Sequence, residues 1–341
     1  MAKQRIDYID AMRGFTMILV VYSHVCNYCL GDAQMGFNDV FFLFRLPCFF
    51  FISGWLFQPV ANRPFWPVTR HKFMVQIVPT VVFLFLLAGP SGFLHGLGAM
   101  KGGYWFTFVL FEFFVINMLS VRFCRRYGWW VALLVSVPAF SYAHYYNTLV
   151  STRQIAPLLS NVLGFLSVAL WRYYLFFFIG TWVRRHFDAF VALMDRPLAV
   201  TLVFAGFFLM AATPHTESLS VEFLRFSVSG LLGMFMVFSL FRKLYATRLP
   251  SQLSRFSPLQ YIGTRTLDIY MLHYFFLPRF LLPYGDQLRS YGNPLLEFLV
   301  AMALSLAVVG LCLIASYVIR LSPFLGHYLF GVKYDKQRGA S

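Results

Sequence analysis

Apolar runs of roughly 17–25 residues, the length that spans a bilayer as a helix, recur along the chain between short polar gaps. Ten can be marked, at 11–30, 39–58, 72–89, 104–121, 128–143, 158–182, 197–213, 223–241, 259–282 and 295–319. The fifth and seventh are short. The gaps leave no room for a soluble domain, and neither a repeat nor a low-complexity tract interrupts the series. The pattern predicts an all-α fold, a polytopic membrane helical bundle of about ten transmembrane helices. It assigns residues 1–325 to one integral membrane domain and 326–341 to a basic cytoplasmic tail.

Composition supports this class. Hydrophobic residues make up 59% of the 341 positions and charged residues 12%, against roughly 25% charged in a soluble domain. Mean hydropathy is +0.67, and the 42 phenylalanines are too many for a surface in water. The first apolar run is long and lacks a small-residue cleavage site, so it reads as a retained helix rather than a signal peptide.

The net charge of +15 raises the question of nucleic acid. The basic residues lie in gaps between apolar runs, without one basic face or an aromatic-interleaved tract, so nucleic acid is excluded as a partner. Their distribution instead gives an orientation. With the N-terminus inside, most Lys and Arg fall in cytoplasmic segments. Lys101, Arg153, Arg279 and Arg289 fall outside, with Arg225 at a boundary. This bias predicts N-in and C-in ends and an even number of spans.

Cys26 and Cys29 form a C-x-x-C at the outer end of the first run, with no second ligand pair. They and Cys48, Cys124 and Cys312 read as small apolar packing residues, and no metal is predicted.

Ionisable groups inside a bilayer are costly and need a reason. His24, Arg45, Glu112, Arg172, Asp268 and His273 all fall within runs. His24 lies six residues before the outer end of the first run and Arg45 six after the outer start of the second. Both are therefore about 9 Å below the outer surface at helical rise. Glu112 and His273 fall at similar depth, Arg172 deeper, and Asp268 nearer the cytoplasm. An imidazole exchanges protons at neutral pH, which suits His24 to general-base work. A carboxylate such as Glu112 would orient the ring and stabilise its cation. Structural pairing within the bundle would also account for any of these groups taken singly.

Several motifs carry a resemblance. Arg5-x-x-Tyr8-Ile9-Asp10-x-x-Arg13-Gly14 leads to Val20-Val21-x-x-His24. Phe44-Arg45-Leu46-Pro47-Cys48-Phe49-Phe50-Phe51-Ile52-Ser53-Gly54-Trp55-Leu56-Phe57 fills the second run. Arg70-x-Lys72 with Pro79, Trp105-Phe106, and Tyr261-Ile262-Gly263-x-x-Thr266-Leu267-x-Ile269-Tyr270-Met271-Leu272-His273 follow in order. Together these landmarks resemble acyltransferase family 3, integral membrane O-acyltransferases. They span positions 5 to 273, while the middle of the chain and its last helix match in hydropathy alone.

The resemblance implies a multi-pass protein of a bacterial inner membrane. It would transfer an acyl group, commonly acetyl from acetyl-CoA or another acyl-CoA, to a hydroxyl of a carbohydrate or glycolipid of the cell envelope. It implies essential roles for His24, Arg13 and Arg45. Guanidinium groups bind phosphate in bidentate fashion, so Arg13 and Arg70, at cytoplasmic helix ends, are expected to hold the CoA phosphates. Arg45, deeper, is expected to support the reacting centre. Glu112 joins His24 and Arg45 as catalytic, and His273 and Trp105 are assigned to substrate.

From Arg13 to His24 is eleven residues, or roughly 16 Å, a span that an extended pantetheine arm covers. Tyr22-Ser23 stands before His24 where many relatives have a small or apolar residue and glycine. No appended serine-esterase domain, such as some relatives carry, is expected. A transporter or flippase of a glycan or lipid-linked substrate would use the same buried charges, and a non-catalytic receptor or scaffold also stands open at this point.

Overall fold

The computed structural model describes residues 6–98, 100–124, 128–152, 154–248 and 257–331. The described residues form helices and turns, with no strand among them. In chain order the helices are α1 (Asp7–Cys29), α2 (Asn38–Phe57), α3 (Phe65–Lys72), α4 (Val78–Gly96), α5 (Trp105–Phe123), α6 (Gly128–Ser151), α7 (Pro157–Phe165), α8 (Tyr174–Arg185), α9 (Phe187–Met194), α10 (Pro197–Ala212), α11 (Leu219–Arg248), α12 (Pro258–Thr264), α13 (Thr266–Phe276), α14 (Gly285–Ser290), α15 (Pro294–Arg320) and α16 (Pro323–Phe330).

Each of the ten apolar runs contains helix. Among the described residues, six helical stretches are long and apolar enough to cross a membrane, and up to eight if each of two bent pairs is one span. α6 and the α12–α13 pair fall outside that set. Arg5 of the opening motif and residues 332–341 of the expected tail lie outside the described residues. α16 begins before the expected tail, at Pro323, and runs into its first part as far as Phe330.

Three runs expected as single helices are broken, each for a local reason. The sixth (158–182) bends by 46° between α7 and a 3₁₀ turn at Val168–Tyr173. Ser167 there is left-handed, with φ 51°, a conformation that ends an α-helix. The third continues from α3 through a π turn at Phe73–Ile77 into α4, and kinks where Gly89 (φ 68°) precedes Pro90. Proline disfavours helical geometry in the residue before it. The ninth (259–282) breaks at Thr264–Arg265 and ends at Phe276, short of Pro278 and Pro283. α9, which precedes α10 at a bend of 81°, has no counterpart among the ten runs.

The chain divides into two compact units. The first comprises residues 1–52, 188–214 and 228–318. α1 is its axis, buried along most of its length from Ile9 to Cys29. α1 and α12 cross at two glycines. A Cβ at Gly14 would collide with the Leu259 carbonyl oxygen, and one at Gly263 with the Asp10 carbonyl oxygen. Small residues let helix backbones approach closely in membranes, where dispersion contacts drive association. Elsewhere in this unit Phe44 packs edge-on to Phe207, with Gly233 leaving room for both. Cys26, Cys29, Cys48 and Cys312 are buried and free.

The second unit comprises 53–187, 215–227 and 319–341. Gly54 lies against the Phe177 carbonyl, where a Cβ would collide. Phe57, Phe114 and Phe177 form an aromatic cluster beside that contact. Thr80 and Thr107 share a buried hydrogen bond of 2.7 Å between α4 and α5. The first free N–H groups of α8 need acceptors, and Ser136 Oγ accepts one from Leu175 at 3.0 Å.

Candidate functional site

The first unit gathers several of the sequence-predicted residues. His24 lies five residues before the end of α1, partly exposed. His273 lies on α13 and is 0% exposed. The two rings meet edge to face with centroids 4.9 Å apart, and His24 Nδ1 is 3.4 Å from His273 Nε2. The other nitrogen of His273, Nδ1, points back along its own helix to the carbonyl oxygens of Ile269 (3.2 Å) and Tyr270 (2.8 Å). Tyr274 packs against both imidazoles, at 5.0 Å from His24 and 4.1 Å from His273, and Tyr28 flanks His24 at 5.7 Å.

Arg45 also belongs to this unit, 7% exposed. It donates through Nη1 to Asn38 Oδ1, about two turns back on the same face of α2, and Asn38 in turn donates to the Ala33 carbonyl. The guanidinium lies over the Phe42 ring at 5.3 Å. A buried cation needs such hydrogen bonding to be tolerated.

Arg13, at the other end of α1, donates from Nη2 to Thr266 Oγ1 at 2.8 Å and lies 3.6 Å from the Asp10 carboxylate. Thr266 opens α13, so this bond ties the N-terminal half of α1 to the helix that carries His273. Asp268, on the same helix and 1% exposed, accepts from Ser316 of α15 and faces Arg265 at 3.9 Å.

In the second unit, Glu112 lies on α5 and accepts from Trp171 Nε1 at 2.7 Å. The α7–α8 break makes this contact, because the 3₁₀ turn carries Trp171. Lys101, wholly buried, closes the same break. Its ammonium donates to the carbonyls of Gly98 and Phe165 and to Ser167 Oγ. The Phe165 carbonyl is among those left unpaired at the end of α7, where a cation is favoured. Arg172 follows Trp171 on the turn and lies over the rings of Tyr173 and Phe226 at 5.3 and 5.6 Å. Trp105 opens α5, partly exposed, and Arg70 stands exposed on α3.

Thus His24, His273, Arg45 and Arg13 belong to one unit, and Glu112, Trp105, Arg172 and Arg70 to the other. The hydrogen-bond partner of His24 is His273. Sequence reasoning placed both histidines at similar depth but not in contact. It missed Asn38, Trp171 and Lys101 as partners of the charged groups. Thr266 was within reach, since it and Arg13 belong to the two motifs that their hydrogen bond joins.

A search of curated proteins and one of solved structures give no significant match to the chain. The family model described as Acyltransferase domain matches residues 6–317. That stretch holds α1 to α14 and most of α15, together with His24, His273, Arg13, Arg45 and Arg70. With nearly its whole length so matched, and with its series of long apolar helices, the chain is a multi-pass membrane acyltransferase and belongs to acyltransferase family 3.

Proposed function

We propose that the protein is an O-acyltransferase that moves an acyl group, acetyl in the first instance, from acyl-CoA to a hydroxyl of a carbohydrate or glycolipid of the cell envelope, in a bacterial inner membrane with both chain ends inside. The observation that carries this reading is His24: a partly exposed imidazole on a membrane helix of an acyltransferase, ringed by aromatics and paired with the buried His273. Such a group is expensive in a bilayer unless it works.

In the proposed step the acceptor oxygen attacks the thioester carbonyl carbon. His24 takes the hydroxyl proton as the C–O bond forms. The C–S bond then breaks, and the departing thiolate receives a proton. Arg45 offsets the negative charge that develops on the carbonyl oxygen. Arg13 and Arg70 serve as phosphate-binding groups for the CoA moiety, since a guanidinium binds phosphate in bidentate fashion. Glu112 enters the proposal as a carboxylate required for turnover, and Trp105 as an acceptor-side surface on which a sugar face can stack.

The test is incubation of membranes with labelled acetyl-CoA, with and without the His24→Ala substitution, followed by fractionation of the cell envelope. Label should enter a glycan or glycolipid fraction with the native protein. It should be absent with the variant at equal protein abundance. Normal uptake of label by the variant would remove His24 from the mechanism. Purified protein in liposomes that moves substrate without any acyl donor would favour the transporter reading instead.

A further inference from the structure

The hydrogen-bond directions around His273 constrain the proton positions on His24. Both groups that face His273 Nδ1 are backbone carbonyl oxygens, from Ile269 and Tyr270. Carbonyl oxygens only accept, so Nδ1 of His273 carries a hydrogen. A neutral imidazole has one N–H, and His273 at 0% exposure sits where an unpaired cation is costly. Its Nε2 therefore presents a lone pair. That atom faces Nδ1 of His24 at 3.4 Å. Two lone pairs do not bond, so the hydrogen between the rings belongs to His24 Nδ1.

The consequence falls on the remaining nitrogen. With Nδ1 protonated, His24 Nε2 is left as the acceptor, and it has no hydrogen-bond partner among the described residues. The geometry points to His273 as a positioning residue. Anchored by two carbonyls of its own helix, it fixes the Nδ1–H tautomer of His24 and aims the basic Nε2 at the acceptor hydroxyl. His273, wholly buried, acts in this proposal through His24 rather than on the substrate to which the sequence assigned it. A histidine's second nitrogen is commonly what sets its tautomer. Here the setting group is another imidazole, its own tautomer fixed by the i−3 and i−4 carbonyls of α13. For its effect on rate the inference rests on the acyl-transfer reading above; for the tautomer it rests on the geometry alone.

The experiment joins a spectroscopic and a kinetic readout on the full-length protein in lipid. The ¹⁵N shifts of the histidine rings are recorded for ¹⁵N-histidine-labelled native protein, with His24→Ala used to assign the His24 signals. Native His24 should show a protonated Nδ1 and a bare Nε2. His273→Leu removes the acceptor and should shift His24 toward the Nε2–H form that is commoner in water. kcat with acetyl-CoA should fall roughly 10²-fold, a loss on the scale of general-base catalysis, while KM for the donor stays within about twofold.

His273→Gln offers an amide oxygen near the former Nε2 position and should restore the native His24 spectrum and most of the rate. A native His24 protonated on Nε2 overturns the inference, whatever the activity. So does a His273→Leu protein with unaltered His24 shifts and rate. A native protein that shows the expected tautomer but transfers no acyl group to any hydroxyl acceptor sinks the functional reading and leaves the tautomer assignment standing.

Discussion

Replacing Gly263 with alanine tests whether the crossing of α1 and α12 sets the imidazole pair. The added Cβ would lie against the Asp10 carbonyl group, with the Gly14 nitrogen at 3.1 Å, where ordinary contact is 3.4–4 Å. All of these are backbone atoms, so no side-chain rotation relieves the overlap. The helices must part by about 1 Å. Overpacking costs roughly 1–3 kcal/mol, and a backbone obstacle puts this site at the upper end. α13 follows α12 directly, so the shift carries to His273. Adding about 1 Å to the 3.4 Å approach of the two rings takes it beyond hydrogen-bonding range. A misplacement of that size in a catalytic constellation costs about 10²-fold in rate.

The assay is thermal unfolding in detergent beside acyl transfer in liposomes, with Gly310→Ala as the control. Gly310 lies inside α15, and nothing lies within 4 Å of a Cβ built there. That substitution should stabilise the helix by roughly 0.5–1 kcal/mol and leave the rate alone. Gly263→Ala should lower both midpoint and rate. If Gly263→Ala keeps the native midpoint and rate, or if both variants lose activity alike, the crossing does not set the site.

Further outcomes follow from the charged groups. Trp171→Phe keeps an aromatic ring but takes a hydrogen-bond donor from the partly buried Glu112 carboxylate, which should cost about 1–3 kcal/mol by thermal unfolding. Glu112→Gln keeps an acceptor for the indole and should hold its stability while losing turnover. Asn38→Ala removes the Oδ1 that receives the Arg45 guanidinium. A hydrogen bond to a charged group is worth roughly 1.5–3 kcal/mol, so the variant should unfold earlier and transfer more slowly, while Asn38→Asp, which still accepts from Arg45, should be the milder of the two.

Hydropathy alone made the membrane class and the extents of the apolar runs legible, because a bilayer enforces the lengths. Where the readings failed, the cause was local backbone chemistry that hydropathy does not record. The break before Val168 depends on a left-handed Ser167 and on Lys101 reaching the Phe165 carbonyl, a contact 64 residues away in sequence. A lysine in a polar gap reads as a solvated charge, yet this one is wholly buried. His24 and Arg45 were identified as intramembrane charges that needed a purpose. Their partners, His273 and Asn38, could not be assigned, since depth gives a height in the membrane and no direction around the helix axis.

Part of the missing direction was nonetheless present in the motifs. Gly14 and Gly263 mark the crossing of α1 with α12. His24 stands ten residues beyond the first glycine and His273 ten beyond the second. Two chains that cross at backbone contact and run the same way for an equal count, at most about 15 Å of helical rise, bring those positions to one level. The Arg13–Thr266 bond braces the second arm across its break at Thr264–Arg265. The glycines and histidines then form one device, in which the small residues set where the imidazoles meet.

Exchanging neighbours tests this register. His24→Val combined with Val25→His keeps composition, hydropathy and nearly the same depth, but turns the imidazole about 100° around α1, since one turn takes 3.6 residues. The ring leaves His273 and enters the position of Val25, which is fully buried. Transfer should fall to the level of His24→Ala while the protein remains in the membrane. Retained transfer would mean that an imidazole at this height suffices and that its pairing across the crossing is incidental.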